Sequence, residues 1–233
     1  MTLKAVFFDL DGTLLDTARD LSAALDSIMQ EDGLEPLPFE QTRVIVSEGS
    51  YALVKLGYQL TDDDPQVGPL RQRLLDSYTQ NINRHTRSFP GIDELIKKIS
   101  DAGLAWGIAT NKPQALTDAL MTQFRFASTP CCILSPEHVK QSKPHEESLL
   151  LACRYANCKP SEAIYIGDHV RDILCGKNAC MPTIAANYGY IPKDEDSLSW
   201  QADHYIEHAD EIWPIIDNYL NLAAPETIAE AQP

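Results

Sequence analysis

The stretch Ala5-Val6-Phe7-Phe8-Asp9-Leu10-Asp11-Gly12-Thr13 decides how this chain folds. Its first four residues are apolar without a helical period, and turn residues follow, which predicts a buried strand of a parallel sheet. Such sheets bind their ligands beyond the carboxyl ends of the strands, and Asp9 and Asp11 fall at that point. Because side chains alternate between the faces of a strand, residues two apart project to the same side. We therefore expect both carboxylates to face one centre.

A pair of carboxylates at this spacing needs a compensating group. Two ionised carboxylates about 4 Å apart repel each other by about 4 kcal/mol at an effective dielectric constant of about 20. A hard divalent cation with oxygen ligands, most naturally Mg²⁺, would remove this cost. A proton shared by the two groups would also remove it and would supply a nucleophile together with a general acid. Both interpretations stay open, while a simple polar turn around Gly12 does not explain the acidic and basic residues further along the chain.

The charge of the chain limits the partners that we expect. Its 233 residues suffice for one large domain or two modest ones. They include 34 Asp and Glu but only 19 Lys and Arg, which gives a formal net charge of -15. This excess disfavours nucleic acid and anionic membranes, because both are bound through clusters of basic residues. A small anionic substrate would therefore have to be held by local cations.

The beginning of the sequence and its cysteines favour a cytoplasmic protein. The N-terminus leads directly into a strand and lacks the apolar region of a secretory signal, and no apolar run approaches the length that crosses a bilayer. The six cysteines show neither a CxxC motif nor zinc-ligand spacing, so we expect reduced thiols in the core. They are Cys131, Cys132, Cys153, Cys158, Cys175 and Cys180.

A helical segment is predicted after the first strand. Thr17-x-x-Asp20 is typical of a capping box, and the apolar spacing that follows predicts a helix ending at Gly33. Further helices are predicted over residues 39–46, 51–58 and 70–82. The next strand is predicted at residues 104–109, roughly ninety residues after the first, whereas a crossover between parallel strands needs only about a dozen. The surplus predicts a second, helical unit, with residues 16–17 leading into it and residues 89–91 leading back.

From residue 104 onward the predicted strands and helices alternate, which is typical of a doubly wound α/β sheet. Strands are predicted over residues 104–109, 132–134, 163–166, 183–186 and 204–206, and helices over residues 113–121, 148–155, 170–179 and 212–222. The chain is thus expected to comprise a discontinuous, mainly parallel α/β core (residues 1–15 and 86–222), a helical insertion (residues 16–85) and a flexible tail (residues 223–233).

The ends of the predicted strands carry the groups that phosphoryl transfer requires. That reaction depends on positioning, charge neutralisation and an in-line nucleophile. Asp9 would attack phosphorus to form an aspartyl-phosphate. Asp11 would protonate the leaving alkoxide and later deprotonate the hydrolytic water.

The remaining polar residues at strand ends complete this hypothesis. Thr110 and Asn111 would hold the phosphoryl oxygens, and Lys143 would offset the charge of Asp9 and the phosphoryl group. Asp168 would complete the magnesium site, and Asp172 would orient Lys143 or a metal-bound water. Taken singly, Thr110-Asn111 is equally typical of a helix cap and Lys143 of a surface lysine, but their joint appearance in this order favours the phosphoryl site.

Four motifs in order carry a resemblance to a known family. Asp9-Leu10-Asp11-Gly12-Thr13, Thr110-Asn111, Lys143 and Gly167-Asp168-x-x-x-Asp172 resemble those of haloacid-dehalogenase-superfamily phosphatases. The helical insertion resembles the cap domain of the phosphoglycolate phosphatase branch. The resemblance implies a Rossmann-like core, Mg²⁺ dependence and a cap that closes over the substrate. It further implies that the metal contacts the side chains of Asp9 and Asp168 and the backbone carbonyl of Asp11, and that Asp11, which dehalogenases lack, marks an enzyme for phosphate esters.

Within this branch, residues 106–113, 137–144 and 187–191 are most similar to the bacterial N-acetylmuramic acid 6-phosphate phosphatases of peptidoglycan recycling. The resemblance therefore implies N-acetylmuramate 6-phosphate as substrate ahead of 2-phosphoglycolate. We expect the cap residues Ser47 and Gly49 to contact the substrate. Arg43 is expected either to bind a substrate carboxylate or to pair with a neighbouring carboxylate of the chain.

Other functions stay open at this point. A phosphoacceptor signalling domain also clusters acids at strand ends, but it has no long insertion. A phosphomutase on the same scaffold would isomerise a sugar phosphate without releasing phosphate, and a catalytically inactive binding protein is disfavoured because every expected catalytic group is present. The chain is expected to be a monomer or a homodimer.

Overall fold

The computed structural model describes residues 3–221, and its centre is a six-stranded parallel sheet. The strands are β1 (Ala5–Phe8), β4 (Ala105–Ala109), β5 (Ile133–Leu134), β6 (Ala163–Gly167), β7 (Thr183–Ala186) and β8 (His204–Ile206), in the order β5-β4-β1-β6-β7-β8. Phe8 lies opposite Ile108 of β4 and Ile166 of β6. The three central strands therefore end level with one another, and the predicted doubly wound α/β fold is confirmed. The expected tail, residues 223–233, lies outside the described residues.

Both faces of β1 are buried, as its uninterrupted apolar run predicts. Val6 and Phe8 belong to the larger core cluster on one face, whereas Ala5 and Phe7 pack on the other face with residues of the helix at 147–155. All four side chains have no exposed surface. Burying a phenylalanine contributes roughly 1.5–3 kcal/mol, so Phe7 and Phe8 fix the strand that carries Asp9.

Nine α-helices are described between residues 3 and 221. They are α1 (Ala18–Glu31), α2 (Phe39–Arg43), α3 (Ser50–Tyr58), α4 (Val67–Gln80), α5 (Ile92–Asp101), α6 (Gln114–Met121), α7 (Glu147–Tyr155), α8 (Val170–Asn178) and α9 (Ile212–Asn221). Helices α1 to α4 pack on one another and form the helical segment expected after β1; its limits as a separate cap domain, residues 16–85, stay a prediction.

The helix predicted over residues 39–46 is shorter than expected. Helix α2 ends at Arg43, and a 3₁₀ helix over Val46–Glu48 follows. Val44 and Ile45, which lie between the two helices, and Val46, which begins the second, are β-branched, and such side chains lose rotamer freedom against the preceding turn of an α-helix. The change of direction brings residues 47–49 towards the sheet.

Two short strands join the helical segment to the sheet domain. Strand β2 (Leu15–Asp16) pairs antiparallel with β3 (Arg87–Ser88), so that Leu15 lies opposite Ser88. The predicted connections at residues 16–17 and 89–91 adjoin these strands, but the pairing itself was not predicted. A strand of two residues shows no period, so no sequence pattern indicates it.

The predicted capping box at Thr17 and Asp20 is wrong. Thr17 precedes α1 but makes no side-chain capping bond; its hydroxyl donates to Oδ1 of Asp11 at 2.5 Å. The Asp20 carboxylate instead accepts the backbone N–H groups of His85 and Thr86 at 2.9 and 3.0 Å. Contacts distant in sequence thus outcompete the local capping pattern, and Asp20 fixes the chain where it returns towards β3.

The cysteines are all free thiols, but not all lie in the core. Cys132, Cys153 and Cys175 are buried, whereas Cys180 is exposed. The expectation of six core thiols is therefore wrong for Cys180, which follows α8 in a left-handed turn at φ 55°. Within residues 3–221, no helix combines the length and the apolar character that a membrane span requires.

Candidate active site

A cavity of about 290 Å³ lies where the helical segment faces the carboxyl ends of the central strands. Most of the side chains predicted for the site line it, namely Asp9, Asp11, Thr110, Asn111, Lys143 and Asp172. The helical segment contributes residues 46–51 together with Arg71. The volume is near the lower end of the range of about 300–1,000 Å³ that is typical of small-molecule pockets.

The two carboxylate oxygens of Asp9 have different surroundings. Oδ1 accepts the backbone N–H of Leu10 at 2.7 Å and the Nζ of Lys143 at 2.9 Å. Oδ2 accepts no hydrogen bond from residues 3–221. Burial, opposed by the charge of Lys143 and reinforced by that of Asp172, raises the pKa of Asp9 from 3.8 to about 6. One oxygen is thus fixed, and the other is available to a ligand.

Lys143 is a buried cation between two carboxylates. Its Nζ lies 2.9 Å from Asp9 and 2.6 Å from Asp172, and it also donates to the hydroxyl of Tyr165 at 3.0 Å. Burial lowers the pKa of Lys143, but the charges of Asp172 and Asp9 outweigh it and hold the pKa above its ordinary value. The interpretation of Lys143 as a surface lysine is therefore wrong. Asp172 was expected to orient either Lys143 or a metal-bound water, and the structure shows the contact with Lys143.

Asp168 follows β6 and is 1% exposed. Its carboxylate accepts the hydroxyls of Thr13 at 3.0 Å and Ser47 at 2.9 Å and the backbone N–H of Tyr190 at 2.9 Å. Burial and the nearby carboxylates of Asp172 and Asp9 raise the pKa of Asp168 from 3.8 to about 7. Gly12, at φ 84°, permits this close packing, because a Cβ there would lie 2.1 Å from Oδ2 of Asp168.

The donor set fits a hard divalent cation. Carboxylate oxygens of Asp9, Asp168 and Asp172 lie within 4.8 Å of one another. Lys143 compensates the first and third of these groups, but in the described part of the chain no cationic side chain pairs with Asp168. Oxygen ligands with excess negative charge are what Mg²⁺ and Ca²⁺ prefer. The structure thus brings together the carboxylates of two predicted ligands, Asp9 and Asp168, with that of Asp172, while the expected contact through the Asp11 carbonyl stays a prediction.

The carboxylate of the third predicted ligand, Asp11, contacts other groups. Its Oδ1 accepts the hydroxyl of Thr17 at 2.5 Å and Nζ of Lys112 at 3.0 Å. Lys112 itself is buried and lies over the ring of Tyr78, 4.6 Å from the ring centroid. Burial lowers the pKa of Lys112, but the charge of Asp11 and the contact with Tyr78 raise it above its ordinary value. The Asp11 carboxylate is therefore held by an ion pair beside the cavity.

Thr110 and Asn111 lie at the end of β4, beside the Lys143 loop. The Nδ2 of Asn111 donates to the carbonyl of Lys143 at 3.1 Å, and Oδ1 accepts the N–H of Lys143 at 3.2 Å. Oγ1 of Thr110 accepts the N–H of Lys112 at 3.2 Å. Neither side chain caps α6, so the helix-cap interpretation is wrong. Asn111 fixes the loop that carries Lys143, which the sequence did not indicate.

The helical segment meets the core at the mouth of the cavity. Glu48 accepts Nε2 of His169 at 2.9 Å and pairs with Nη1 of Arg171 at 3.4 Å, and Nη2 of Arg171 donates to the carbonyl of Ser47. Burial raises the pKa of Glu48, but His169 and Arg171 outweigh it and hold that pKa below its ordinary value. As expected from the sequence, Ser47 and Gly49 line the cavity.

The structure does not bring Arg43 to the cavity. Its Nη2 donates to the carbonyl of Tyr188 at 3.1 Å, and its guanidinium lies 5.1 Å from the ring centroid of Tyr190. It pairs with no carboxylate of residues 3–221, so the expectation that Arg43 pairs with a neighbouring carboxylate is wrong. Arg43 is the last residue of α2, and the 3₁₀ helix over Val46–Glu48 follows.

Sequence reasoning missed two buried residues of the site, Lys112 and Tyr165. Lys112 directly follows Thr110-Asn111, and a lysine after a polar strand end in a chain of net charge -15 was an available signal. Tyr165 reads as one more apolar strand residue, and only the tertiary structure places its hydroxyl beside Lys143.

Comparisons with known proteins show the family and the fold of this chain. The family model of haloacid dehalogenase-like hydrolases matches residues 6–186. An N-acetylmuramic acid 6-phosphate phosphatase of Pseudomonas aeruginosa is 40% identical over 94% of this chain and 97% of its own length. A phosphoglycolate phosphatase of Xanthomonas campestris is 34% identical over 90% of this chain and 95% of its own. Among solved structures, a haloacid dehalogenase-like hydrolase of Streptococcus pneumoniae superposes with a TM-score of 0.78 at 21% identity, over 92% of this chain and 98% of that one.

Proposed function

Since this chain belongs to the haloacid dehalogenase-like hydrolases, we propose that it is a Mg²⁺-dependent phosphatase that hydrolyses a small phosphate monoester through an aspartyl-phosphate. The observation that carries the proposal is the Asp9 carboxylate, whose Oδ2 accepts no hydrogen bond from residues 3–221 and which lines a cavity together with Asp11, Thr110 and Lys143. With a pKa of about 6, Asp9 is mostly ionised at neutral pH and can act as a nucleophile.

The proposed reaction has two displacements at phosphorus. In the first, Oδ2 of Asp9 bonds to phosphorus, the bond from phosphorus to the ester oxygen breaks, and the leaving oxygen takes a proton from Asp11. In the second, the Asp11 carboxylate removes a proton from water, the water oxygen bonds to phosphorus, and the bond to Asp9 breaks. Inorganic phosphate leaves, and both aspartates return to their starting states.

The other groups would stabilise the charge that the phosphoryl group carries. Lys143 offsets the charge of Asp9, while Thr110 and Asn111, which line the same cavity, would hold phosphoryl oxygens. The side chains of Asp9 and Asp168 would bind Mg²⁺, together with the carbonyl of Asp11 as the family resemblance implies. When bound, Mg²⁺ neutralises charge on the phosphoryl oxygens. Asp172 would keep Lys143 in place from its contact at 2.6 Å.

For the substrate we propose N-acetylmuramate 6-phosphate ahead of 2-phosphoglycolate. The relative from Pseudomonas aeruginosa, with 40% identity over nearly the full chain, carries the former name. A cavity of about 290 Å³ also accommodates more than a two-carbon acid. The reaction would belong to peptidoglycan recycling in the cytoplasm, a compartment that suits six cysteines without disulfides.

The test is release of inorganic phosphate from each ester with Mg²⁺ and with EDTA. We expect a higher kcat/KM for N-acetylmuramate 6-phosphate than for 2-phosphoglycolate and no turnover in EDTA. The reverse order would contradict the substrate, and full activity in EDTA would contradict the metal. Isomerisation of a sugar phosphate without release of phosphate would instead indicate a phosphomutase.

A further inference from the structure

Among the cations that line the cavity, Arg71 of α4 has no carboxylate partner within residues 3–221. The other lysine and arginine side chains of the lining are paired: Lys112 with Asp11, Lys143 with Asp9 and Asp172, and Arg171 with Glu48. Acidic residues greatly outnumber basic ones in this chain. An unpaired arginine inside a cavity of such a protein is placed to receive an anion from solution.

Neighbouring side chains hold the Arg71 guanidinium in a defined position. Its Nε donates to the hydroxyl of Ser50 at 2.9 Å, and its Cζ lies 4.4 Å from the ring centroid of Tyr51. Neither Nη group donates a hydrogen bond to any residue of the described chain. A planar guanidinium that is held by its Nε and its face, with Nη groups free, matches a carboxylate that accepts two parallel hydrogen bonds.

The two ends of a ligand would therefore meet different parts of the protein. The core supplies the phosphoryl centre around Asp9, and the helical segment supplies Arg71. Apolar side chains that belong to the same lining, among them Leu21, Leu53 and Leu75, can cover a carbon skeleton. This arrangement suits an ester with a phosphate at one end and a second anionic group at the other.

We propose that Arg71 binds a carboxylate on the leaving group and thereby selects phosphate monoesters that are also carboxylic acids. The inference rests on the proposed function, since it takes the phosphoryl group to lie at Asp9. It assigns to Arg71 of α4 the contact that the sequence had suggested for Arg43 of α2.

The first experiment compares two esters that differ only by the lactyl group, which carries the acid. N-acetylglucosamine 6-phosphate lacks the lactyl ether, and with it the carboxylate, of N-acetylmuramate 6-phosphate. We expect Arg71→Gln to lower kcat/KM for the muramate ester about 10- to 100-fold, mainly through KM, because a charge-assisted hydrogen-bonded pair is lost. The value for the glucosamine ester should stay within about twofold. Equal losses for both esters, or no loss for either, would overturn the proposal.

Arg73 offers a matched control on the same helix. It lies two residues further along α4, where it pairs with Glu31 and Asp32 instead of lining the cavity. Arg73→Gln removes the same charge from α4, and we expect it to leave the ratio of the two kcat/KM values unchanged. A ratio that shifts as much as in Arg71→Gln would show a general effect of charge and would count against a contact with the carboxylate.

A binding measurement separates this inference from the proposed function. In an Asp9→Asn background, calorimetry with Mg²⁺ gives the affinity for each ester without turnover. We expect the Asp9→Asn protein to bind the muramate ester more tightly than the glucosamine ester, and the double variant Asp9→Asn, Arg71→Gln to bind the two esters equally. That result supports the carboxylate contact even if the unaltered chain releases no phosphate and the proposed function fails. Equal affinities for the two esters with Arg71 present would overturn the inference, even where phosphate release confirms a phosphatase.

Discussion

At the scale of single residues, the proposed chemistry depends on how Asp9 divides its hydrogen bonds. Leu10 and Lys143 hold Oδ1 and restrict rotation of the carboxylate, whereas Oδ2 accepts no hydrogen bond from residues 3–221. A nucleophile fixed in this way has already lost the rotational freedom that it would otherwise lose on reaching the transition state.

Asp9→Asn should abolish turnover while leaving the fold intact. The amide is no nucleophile, and uncatalysed hydrolysis of phosphate monoesters is extremely slow, so we expect kcat to fall by at least about 10³-fold. Lys143 keeps its partner Asp172 in this variant, so the thermal midpoint should change by only a few degrees. Phosphate release at nearly the original rate would refute the assignment of Asp9.

Lys112→Met should impair catalysis without weakening substrate binding to the same degree. The variant removes the ammonium that lies 3.0 Å from Oδ1 of Asp11, and a misplaced acid typically costs one to two orders of magnitude in rate. We expect kcat to fall about 10- to 100-fold with little change in KM. Lys97→Met, which disrupts only the exposed pair with Asp101, is the control. An unchanged kcat would show that Asp11 needs no such partner.

At the scale of elements, Tyr190 fixes the start of α1. Its hydroxyl accepts the N–H groups of Thr17 and Ala18 at 2.6 and 3.0 Å and donates to Asp16 at 2.8 Å. The first N–H groups of a helix have no partner within the helix. A tyrosine from the loop after β7 thus replaces the capping box that the sequence suggested.

Tyr190→Phe should therefore destabilise the protein more than one lost hydroxyl usually does. Two buried N–H groups lose their acceptor, which costs about 2–4 kcal/mol of unfolding free energy. Tyr188→Phe is the matched control, because the Tyr188 hydroxyl makes a single bond, to the carbonyl of Thr13 at 2.9 Å, and its loss should cost about 1 kcal/mol. Urea denaturation measures both variants, and equal losses would show that Tyr190 does not support α1.

Elements with a distinct apolar pattern were predictable, and elements fixed by distant contacts were not. The apolar runs of β1, β6 and β7 bury both faces, so composition alone revealed them. The pairing of β2 with β3 involves two residues on each side, and its stability depends on the packing of neighbouring elements.

At the scale of the whole molecule, the buried carboxylate of Asp168 makes stability depend on pH. The pKa of Asp168 is raised from 3.8 to about 7 by burial and nearby carboxylates. Between about pH 4 and pH 7 the folded protein therefore binds more protons than the unfolded chain. Without metal, this residue lowers the stability as the pH rises through that window. Under the proposed function Mg²⁺ would bind the ionised form, so its stabilising effect should grow with pH.

Asp168→Asn isolates this contribution. In EDTA, the unfolding free energy of wild type should fall between about pH 5 and pH 8. This fall should exceed that of the variant by at least about 1 kcal/mol. Addition of Mg²⁺ at the higher pH should stabilise wild type but not the variant. Parallel pH profiles of the two proteins, or equal stabilisation by Mg²⁺, would remove Asp168 from the metal site.

The site was predictable where motif residues follow strands directly, as with Asp9, Asp11 and Asp168. It was not predictable where a second element delivers the side chain. Arg43 and Arg71 are both arginines of the helical segment, and only the packing of the helices decides which one reaches the cavity. Sequence patterns specify which face of a helix is apolar, but they do not specify where that helix lies relative to a neighbouring element.

The ladder between Leu15–Asp16 and Arg87–Ser88 has a consequence for how this protein can be altered. Because the chain leaves the sheet and returns to it at adjacent, hydrogen-bonded positions, everything between them is covalently joined to the sheet domain at a single junction. A foreign segment grafted onto that junction would keep the sheet, but it would have to replace the contacts of Ser47 with Asp168 and of Glu48 with His169. Exchange of this one insert could therefore change which substrate is selected, while the core residues proposed for phosphoryl transfer stay the same.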